Sequence, residues 1–263
     1  MVRKRKCLYG VFFILLVVIV LYGNYHITVS RYTISSKKIS SPMKIVQISD
    51  FHNSVLGGRV VGVVKKEKPD VIVVTGDLID ANHPDENRAL ELLKSLKAIA
   101  PVYAVSGNHE AAYSTEFSQK CDMIQNDVIT VRSDVDLIGT NDPACIEADG
   151  ADSVGKIKYM IDSLPDPDAS KFSILLSHRP EAMEIYAEKG YDLVFAGHAH
   201  GGQIRVFGQG LIAPDQGLFP KYDAGIFKKK KTTMIVSRGI GNSILPIRIN
   251  NCPEIVVTEL IPE

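Results

Sequence analysis

Residues 43–52, Met43-Lys44-Ile45-Val46-Gln47-Ile48-Ser49-Asp50-Phe51-His52, set a run of strand-forming residues directly before an aspartate and a histidine two positions apart. A short apolar run of this kind reads as a buried β-strand. The spacing after it lets both side chains address one ion. The same arrangement recurs along the chain. Val71 to Thr75 ends at Gly76-Asp77, Val102 to Ser106 at Gly107-Asn108-His109-Glu110, Phe172 to Ser177 at His178, and Tyr191 to Ala196 at Gly197-His198-Ala199-His200. Five of the seven histidines lie in these fragments. Any one fragment is compatible with a solvated loop side chain. All five at strand ends point to a metal site, because a hard cation needs carboxylate, imidazole and amide-oxygen ligands converging from several segments. Strand C-termini of an α/β sheet place such residues at one edge.

Helical patterns fill the intervals. A helix is expected near Val60 to Glu67, after which Pro69-Asp70 restarts a strand. Pro84 to Ile99 places Pro at the first helical position, Asp85 and Glu86 in the first turn, an apolar stripe of Leu92, Leu93, Leu96 and Ile99, and Lys94 and Lys97 late. Pro180 opens a helix that closes at Gly190. Alternating strands and helices indicate an α/β fold. Within the strand-end fragments, Gly76 removes a Cβ where backbone passes close to the ion, and Asp77 has two oxygens with which to bridge two metals. Asn108 offers an amide oxygen, and Glu110 is placed to hold His109 in one tautomer. On an extended chain, His198 and His200 point to one face.

A chain of 263 residues with net charge +0 makes no electrostatic case for nucleic acid. The cysteines, Cys7, Cys121, Cys145 and Cys252, have neither CxxC nor zinc-ribbon spacing; Cys7 lies in an apolar stretch, and the other three, whose pairing the sequence leaves open, read as buried free thiols. Arg3-Lys4-Arg5-Lys6 precedes a run without charge from Cys7 to Tyr22, flanked by Tyr9, Tyr22 and Tyr25 at expected membrane interfaces. Its length lies between a signal-peptide core and a comfortable transmembrane helix. No clean small-residue cleavage site follows. Residues 1–23 are therefore read as a membrane anchor with a signal peptide as the alternative, 24–42 as a polar tether, and 43–263 as the catalytic domain. Basic residues before the apolar run stay in the cytoplasm. The domain is then extracytoplasmic on a single-pass protein of the cell membrane, or secreted if the segment is cleaved.

The ordered set D-x-H, G-D, G-N-H-[DE], H and G-H-x-H, from Asp50 to His200, resembles the calcineurin-like metallophosphoesterase superfamily. Further segments look like its bacterial membrane-associated YkuE/YaeI-type branch. These are Gly201 to Arg205, Ile212 to Tyr222, and Leu245 to Asn251 with Pro253-Glu254-Ile255, so the resemblance spans residues 43–263. It implies a four-layer α/β/β/α sandwich with two mixed sheets. It also implies two divalent ions, one held by Asp50, His52, Asp77 and His200 and the other by Asp77, Asn108, His178 and His198. A hydroxide bridging them would be the nucleophile, and His109, outside the ligand set, would protonate the departing alkoxide or stabilise the transition state. Ligation by nitrogen and oxygen without thiolate suits Mn, Fe or Zn. Some members of that branch carry a twin-arginine export signal, but Arg3-Lys4-Arg5-Lys6 has no adjacent arginine pair.

The expectation is a membrane-anchored phosphoesterase whose substrate, a phosphate ester, is linked to a lipid or to the cell envelope. A pyrophosphatase acting on a nucleotide- or lipid-linked substrate is the alternative, and a non-catalytic binding module on the same fold a further one. Lys228 to Lys231 reads as a solvated hairpin turn, with a patch for anionic lipid as the other reading. Arg179, Arg248, Asn250 and Asn251 stay outside the catalytic set.

Overall fold

Apolar alternation with a period of two sends successive side chains of a strand to opposite faces, so a strand whose both sides are apolar must be covered twice. Ile45 and Val46 behave in this way. The structure, a computed structural model, describes residues 2–146, 152–242 and 247–263. Its first sheet has five strands in the order Thr28–Ser36, Glu254–Pro262, Met43–Ile48, Val71–Thr75 and Val102–Val105. Only the pair of Glu254–Pro262 with Met43–Ile48 is antiparallel. The second sheet has six, in the order Gly225–Lys229, Thr232–Val236, Leu193–Ala196, Phe172–Leu176, Val135–Gly139 and Asp127–Arg132. Its inner pairings are parallel and its two outermost antiparallel.

Three clusters of buried side chains define the layers. Ile45, Val73 and Val105 of the first sheet meet Ile174, Leu176, Phe195 and Ile235 of the second. Val46, Ile48, Ile72 and Val74, on the opposite face of the first sheet, pack on Val60 and Val64 of helix Gly57–Glu67 and on Leu92 and Leu96 of helix Glu86–Lys97. Leu175, Val194 and Met234 of the second sheet pack outward on Ile157 and Ile161 of helix Ser153–Ser163 and on Met183 and Tyr186 of helix Met183–Lys189. The order is helix, sheet, sheet, helix. Because the strands carrying the candidate ligands run parallel within each sheet, their C-terminal ends share one edge.

Local chemistry moves several element boundaries. Asp85, not Pro84, caps the helix that starts at Glu86, its carboxylate accepting from the Arg88 amide at 3.0 Å. Pro180 opens a 3₁₀ turn, Pro180–Ala182, before the α-helix, which Gly190 ends in the left-handed conformation. Lys230 and Lys231 are the turn of an antiparallel hairpin, as the solvated reading expects. Cys121, Cys145 and Cys252 are free thiols, but Cys145 is exposed, not buried. Leu245 and Pro246, used in the resemblance, lie outside the described residues.

The N-terminal third of the expected organisation needs correction. Val2–Tyr25 is one helix. Among the described residues no helix is long and apolar enough to cross a membrane. Its last turn rests on the domain, where Asn242 Nδ2 donates to Asn24 Oδ1 at 3.1 Å and Arg59 Nη1 donates to the Tyr25 carbonyl at 2.6 Å. The tether expected at 24–42 is mostly not a tether. Thr28–Ser36 is a nine-residue edge strand, parallel to Glu254–Pro262, and Ile39 is 3% exposed in the core. Its serines and lysines set the composition, whereas Val29, Tyr32 and Ile34 set the packing.

A chain starting at Met43 should therefore be less stable than one starting at Ile27. Removing the partly buried Ile27, Val29, Tyr32 and Ile34 at about 1 kcal/mol each and the buried Ile39 at about 2 kcal/mol should cost about 6 kcal/mol, or about 12–24 °C in Tm. Thermal unfolding of the two chains measures this, and equal midpoints would show that the strand contributes nothing.

Candidate metal centre

Three of the five loops that carry candidate ligands leave their strands through a backbone turn that L-residues avoid. Asp50, His52, Asp77, His198 and His200 all have positive φ, between 44° and 65°. Such a conformation costs roughly 1–2 kcal/mol per residue, less for the short polar side chains that bond locally, and it persists where surrounding bonds over-determine it. Those bonds are present. Asp50 N–H donates to the Gly76 carbonyl and His52 N–H to the Asp77 carbonyl, both at 3.0 Å, and His198 N–H donates to Asp50 Oδ1 at 3.0 Å. The His198-Ala199-His200 stretch is consequently not extended, and its two rings serve different partners. Gly76, at φ +88°, is needed for loop packing, not for approach to an ion. A Cβ there would lie 2.6 Å from His178 Nδ1 and 2.7 Å from Gly107 N.

Two groups of donors converge. The ligating atoms of Asp50, His52, Asp77 and His200 lie within 4.8 Å of one another, and so do those of Asp77, His178 and His198. All six residues are buried. In the first group His52 Nε2 faces His200 Nε2 at 3.3 Å and Asp77 Oδ2 at 3.5 Å, and His200 Nε2 is 3.4 Å from Asp50 Oδ1. In the second, His178 Nε2 is 3.2 Å from Asp77 Oδ2 and 3.1 Å from His198 Nδ1. His178 Nδ1 lies 2.7 Å from the Thr75 carbonyl, to which it donates, so Nε2 is its free end. Asp77 thus touches both groups with one oxygen, Oδ2. Its other oxygen accepts from the His109 amide at 2.9 Å.

These spacings fit a cation at the centre of each group. At metal–ligand distances near 2.1 Å, neighbouring donors lie about 3.0 Å apart in an octahedron and about 3.4 Å apart in a tetrahedron. Asn108 supports the same fit, because its Oδ1 is buried without a hydrogen-bond partner among the described residues. A buried polar atom without a partner costs about 1–3 kcal/mol, which ligation would remove.

His109 stands apart. It belongs to neither donor group, packs edge-on against the His52 ring at 4.5 Å, and is partly exposed. Its Nδ1 accepts from the Ala81 amide at 3.0 Å, so the neutral ring carries its proton on Nε2. Glu110 does not hold it, contrary to the sequence reading. The Glu110 carboxylate instead accepts from the amides of Asp77, Ile79 and Gly107 at 2.8, 3.0 and 2.7 Å, clamping the two loops together.

Two arginines that the motifs leave out lie directly behind the histidines. Arg179 is 6% exposed and forms a two-point contact with Asp142, Nε to Oδ2 at 2.6 Å and Nη2 to Oδ1 at 2.9 Å. Arg248 is fully buried, with Nη2 3.5 Å from His200 Nδ1, and Asn251 Nδ2 donates to the His200 carbonyl at 2.7 Å. No spacing signal could have found either arginine, since each depends on a loop from elsewhere in the chain.

Electrostatics prepare the lone pairs. Burial lowers His52 and His198 to about 4 and His200 well below its ordinary value, so all three are neutral at pH 7. Burial also pushes the Asp50 carboxyl up to about 6. It raises Glu110 to about 7, with the Asp77 charge adding to the effect. His178 is the exception. Burial pulls it down, but the Asp77 charge and hydrogen bond, with Asp50 beyond, carry it up to about 10. Asp77 goes the other way: burial pushes it up, but the His178 charge and hydrogen bond, with neighbouring histidines, together carry it well below the carboxylate range.

Comparison with known proteins agrees with this chemistry. Residues 43–202 match the family model for calcineurin-like phosphoesterases. YkuE, an uncharacterized metallophosphoesterase of Bacillus subtilis, is 31% identical over 89% of this chain and 85% of its own length. The phosphodiesterase YaeI of Escherichia coli is 27% identical over 86% of this chain and 84% of its own. Among solved structures, a dimetal phosphatase from Danio rerio superposes with a TM-score of 0.53 at 13% identity, over 76% of this chain and 88% of that one. That likeness concerns the fold.

The protonation pattern generates a test. With His178 raised to about 10, its Nε2 holds a proton at pH 7 in the metal-free protein, and ligation through Nε2 must displace it. Divalent-metal uptake near pH 7.5 should release about one proton, and affinity should tighten as pH rises from 6 to 9, by up to about tenfold per unit. Calorimetry in buffers of different ionisation enthalpy reads the proton directly. Binding without release would exclude His178 as a ligand.

Proposed function

The chain belongs to the calcineurin-like phosphoesterase family, and from that premise we propose an assignment of roles within its site. Asp50, His52, Asp77 and His200 hold one divalent transition-metal ion, and Asp77, Asn108, His178 and His198 a second. His109 stabilises the departing oxygen by a hydrogen bond from Nε2. The observation that carries this assignment is the position of Asp77 Oδ2 against both His52 and His178. The chain is a metal-dependent phosphoric ester hydrolase acting on a phosphate ester. Two ions at such a site supply Lewis acidity to the phosphoryl oxygens and a water of lowered pKa for in-line attack.

The residues supply the rest. His52, His198 and His200, neutral through burial, present lone pairs without first losing a proton. Asp77 spends one oxygen on the His109 amide, which fixes this hydrogen-bond donor relative to the bridge. The Ala81 amide keeps the His109 proton on Nε2. With nitrogen and oxygen donors and no thiolate, the assignment favours Mn, Fe or Zn.

The helix Val2–Tyr25 supports a location. Its large apolar side chains from Tyr9 to Tyr25 are mostly exposed, a surface that monomeric soluble proteins seldom present. We propose that this apolar surface attaches the protein to the cell membrane. A cleft of about 530 Å³ runs from His52 and Asp80 to Val20, Leu21 and Tyr25 of that helix, bordered also by Val55 and Ile240. Its lining mixes these apolar side chains with Asn24, Asn53, Asp80 and Asn242, and the apolar part beside the candidate ligands supports a phosphate ester on a lipid or another envelope component.

Two outcomes test these assignments. His109→Ala should retain both ions yet lose roughly 10²–10⁴-fold in kcat on an activated aryl phosphate, whereas Asp77→Ala should lose metal and activity together. An ion missing from His109→Ala by metal analysis would make His109 a ligand. The full-length protein should stay with membranes through a high-salt wash, whereas a chain starting at Ile27 should not. Full-length protein in the soluble fraction would overturn the attachment.

A further inference from the structure

We propose that Asp215 is the positioning residue for His198, held in place by Arg179 and through it by Asp142. The inference rests on the two-ion reading above. His198 Nδ1 faces His178 Nε2 at 3.1 Å, which is the side of the second ion. Its other nitrogen, Nε2, points away and lies 2.9 Å from Asp215 Oδ2. An imidazole that gives its Nδ1 lone pair to a cation carries its hydrogen on Nε2. That hydrogen needs an acceptor, and a carboxylate raises the basicity of the ring while fixing its plane.

Arg179 is the competing neighbour, with Nη1 2.9 Å from His198 Nε2 and also bonded to Asp215 Oδ2. A guanidinium has only donors. Once Nε2 is protonated the two N–H groups cannot bond each other, and both turn to the same Asp215 oxygen. Arg179 has no freedom to leave, because Asp142 takes its Nε and Nη2. Glu181 Oε1 stands 3.8 Å from Nη1, so three carboxylates surround one guanidinium. That surplus of negative charge argues against a role for Arg179 in gripping substrate phosphate. Its geometry is that of a brace, setting Asp215, a half-exposed loop residue, against a buried ligand.

The test uses the full chain, stripped of metal and titrated with Mn²⁺ by calorimetry, with circular dichroism and thermal unfolding to verify the fold. The parent should bind two ions. Asp215→Ala should still bind two, with one weakened by about 10–100-fold, and Asp215→Glu should recover most of the loss. An unchanged Asp215→Ala isotherm would overturn the proposal. So would loss of one ion at every Mn²⁺ concentration, which would make Asp215 a ligand. A parent taking up fewer than two ions would overturn the two-ion reading and this inference with it, so the two failures are distinguishable.

Discussion

A single carboxylate oxygen, Asp77 Oδ2, lies 3.5 Å from a histidine of the first sheet's loops and 3.2 Å from one of the second's, and the architecture keeps it there. Removing a charged carboxylate from water is expensive unless partners repay the loss. Asp77 finds them in the His109 amide and the protonated His178 ring. His178 comes from the second sheet, so the oxygen can be satisfied only if the sheets pack face to face with their ligand-bearing edges level. The apolar layer of Ile45, Val73, Leu176 and Phe195 between them thus sets the position of the site.

Satisfying Asp77 leaves strain elsewhere. Five of the candidate ligands adopt left-handed backbone, and three neutral imidazoles are buried where burial disfavours their protonation. In the metal-free state the His178 proton and the buried Arg248 guanidinium offset the charges of Asp50 and Asp77. Divalent cations would supply that positive charge and meet the lone pairs of His52 and His200, which face each other at 3.3 Å. The loops hold this arrangement through Glu110, whose carboxylate gathers three amides from two segments. Metal binding then draws on geometry already fixed by hydrogen bonds, and need not create it.

Much of this was legible in the sequence, for a physical reason. Strand-end residues such as Asp50, Asp77 and His178 follow immediately after an apolar run, and a parallel sheet turns that linear rule into proximity. Six of the seven candidate ligands accordingly lie in two touching groups. What depends on contacts between distant segments was not legible. Glu110 sits beside His109 in the chain, yet its partners are the amides of Gly107, Asp77 and Ile79. Arg179 follows a ligand histidine, but its meaning comes from Asp142 and Asp215, both more than thirty residues away. Thr28–Ser36 was hidden by composition, since edge strands tolerate serine and lysine on their exposed side while Tyr32 and Ile34 pack inward.

The same edge strand changes what the N-terminal helix can do. A tether of loose residues would let the domain drift relative to any surface the helix meets, and would leave the site indifferent to it. Here only Tyr25 to Thr28 separates the helix from a paired strand, and the helix itself is fixed to the domain at Asn24 and Tyr25. Gly23 permits a closer approach still. A Cβ at that position would collide with the Arg248 carbonyl, and the Arg248 guanidinium is 3.5 Å from His200 Nδ1. Helix base, buried arginine and candidate ligand are therefore in continuous contact. The cleft between them keeps one wall on the helix and one on His52, so its distance from whatever surface the helix occupies is set by the fold and not by a flexible linker.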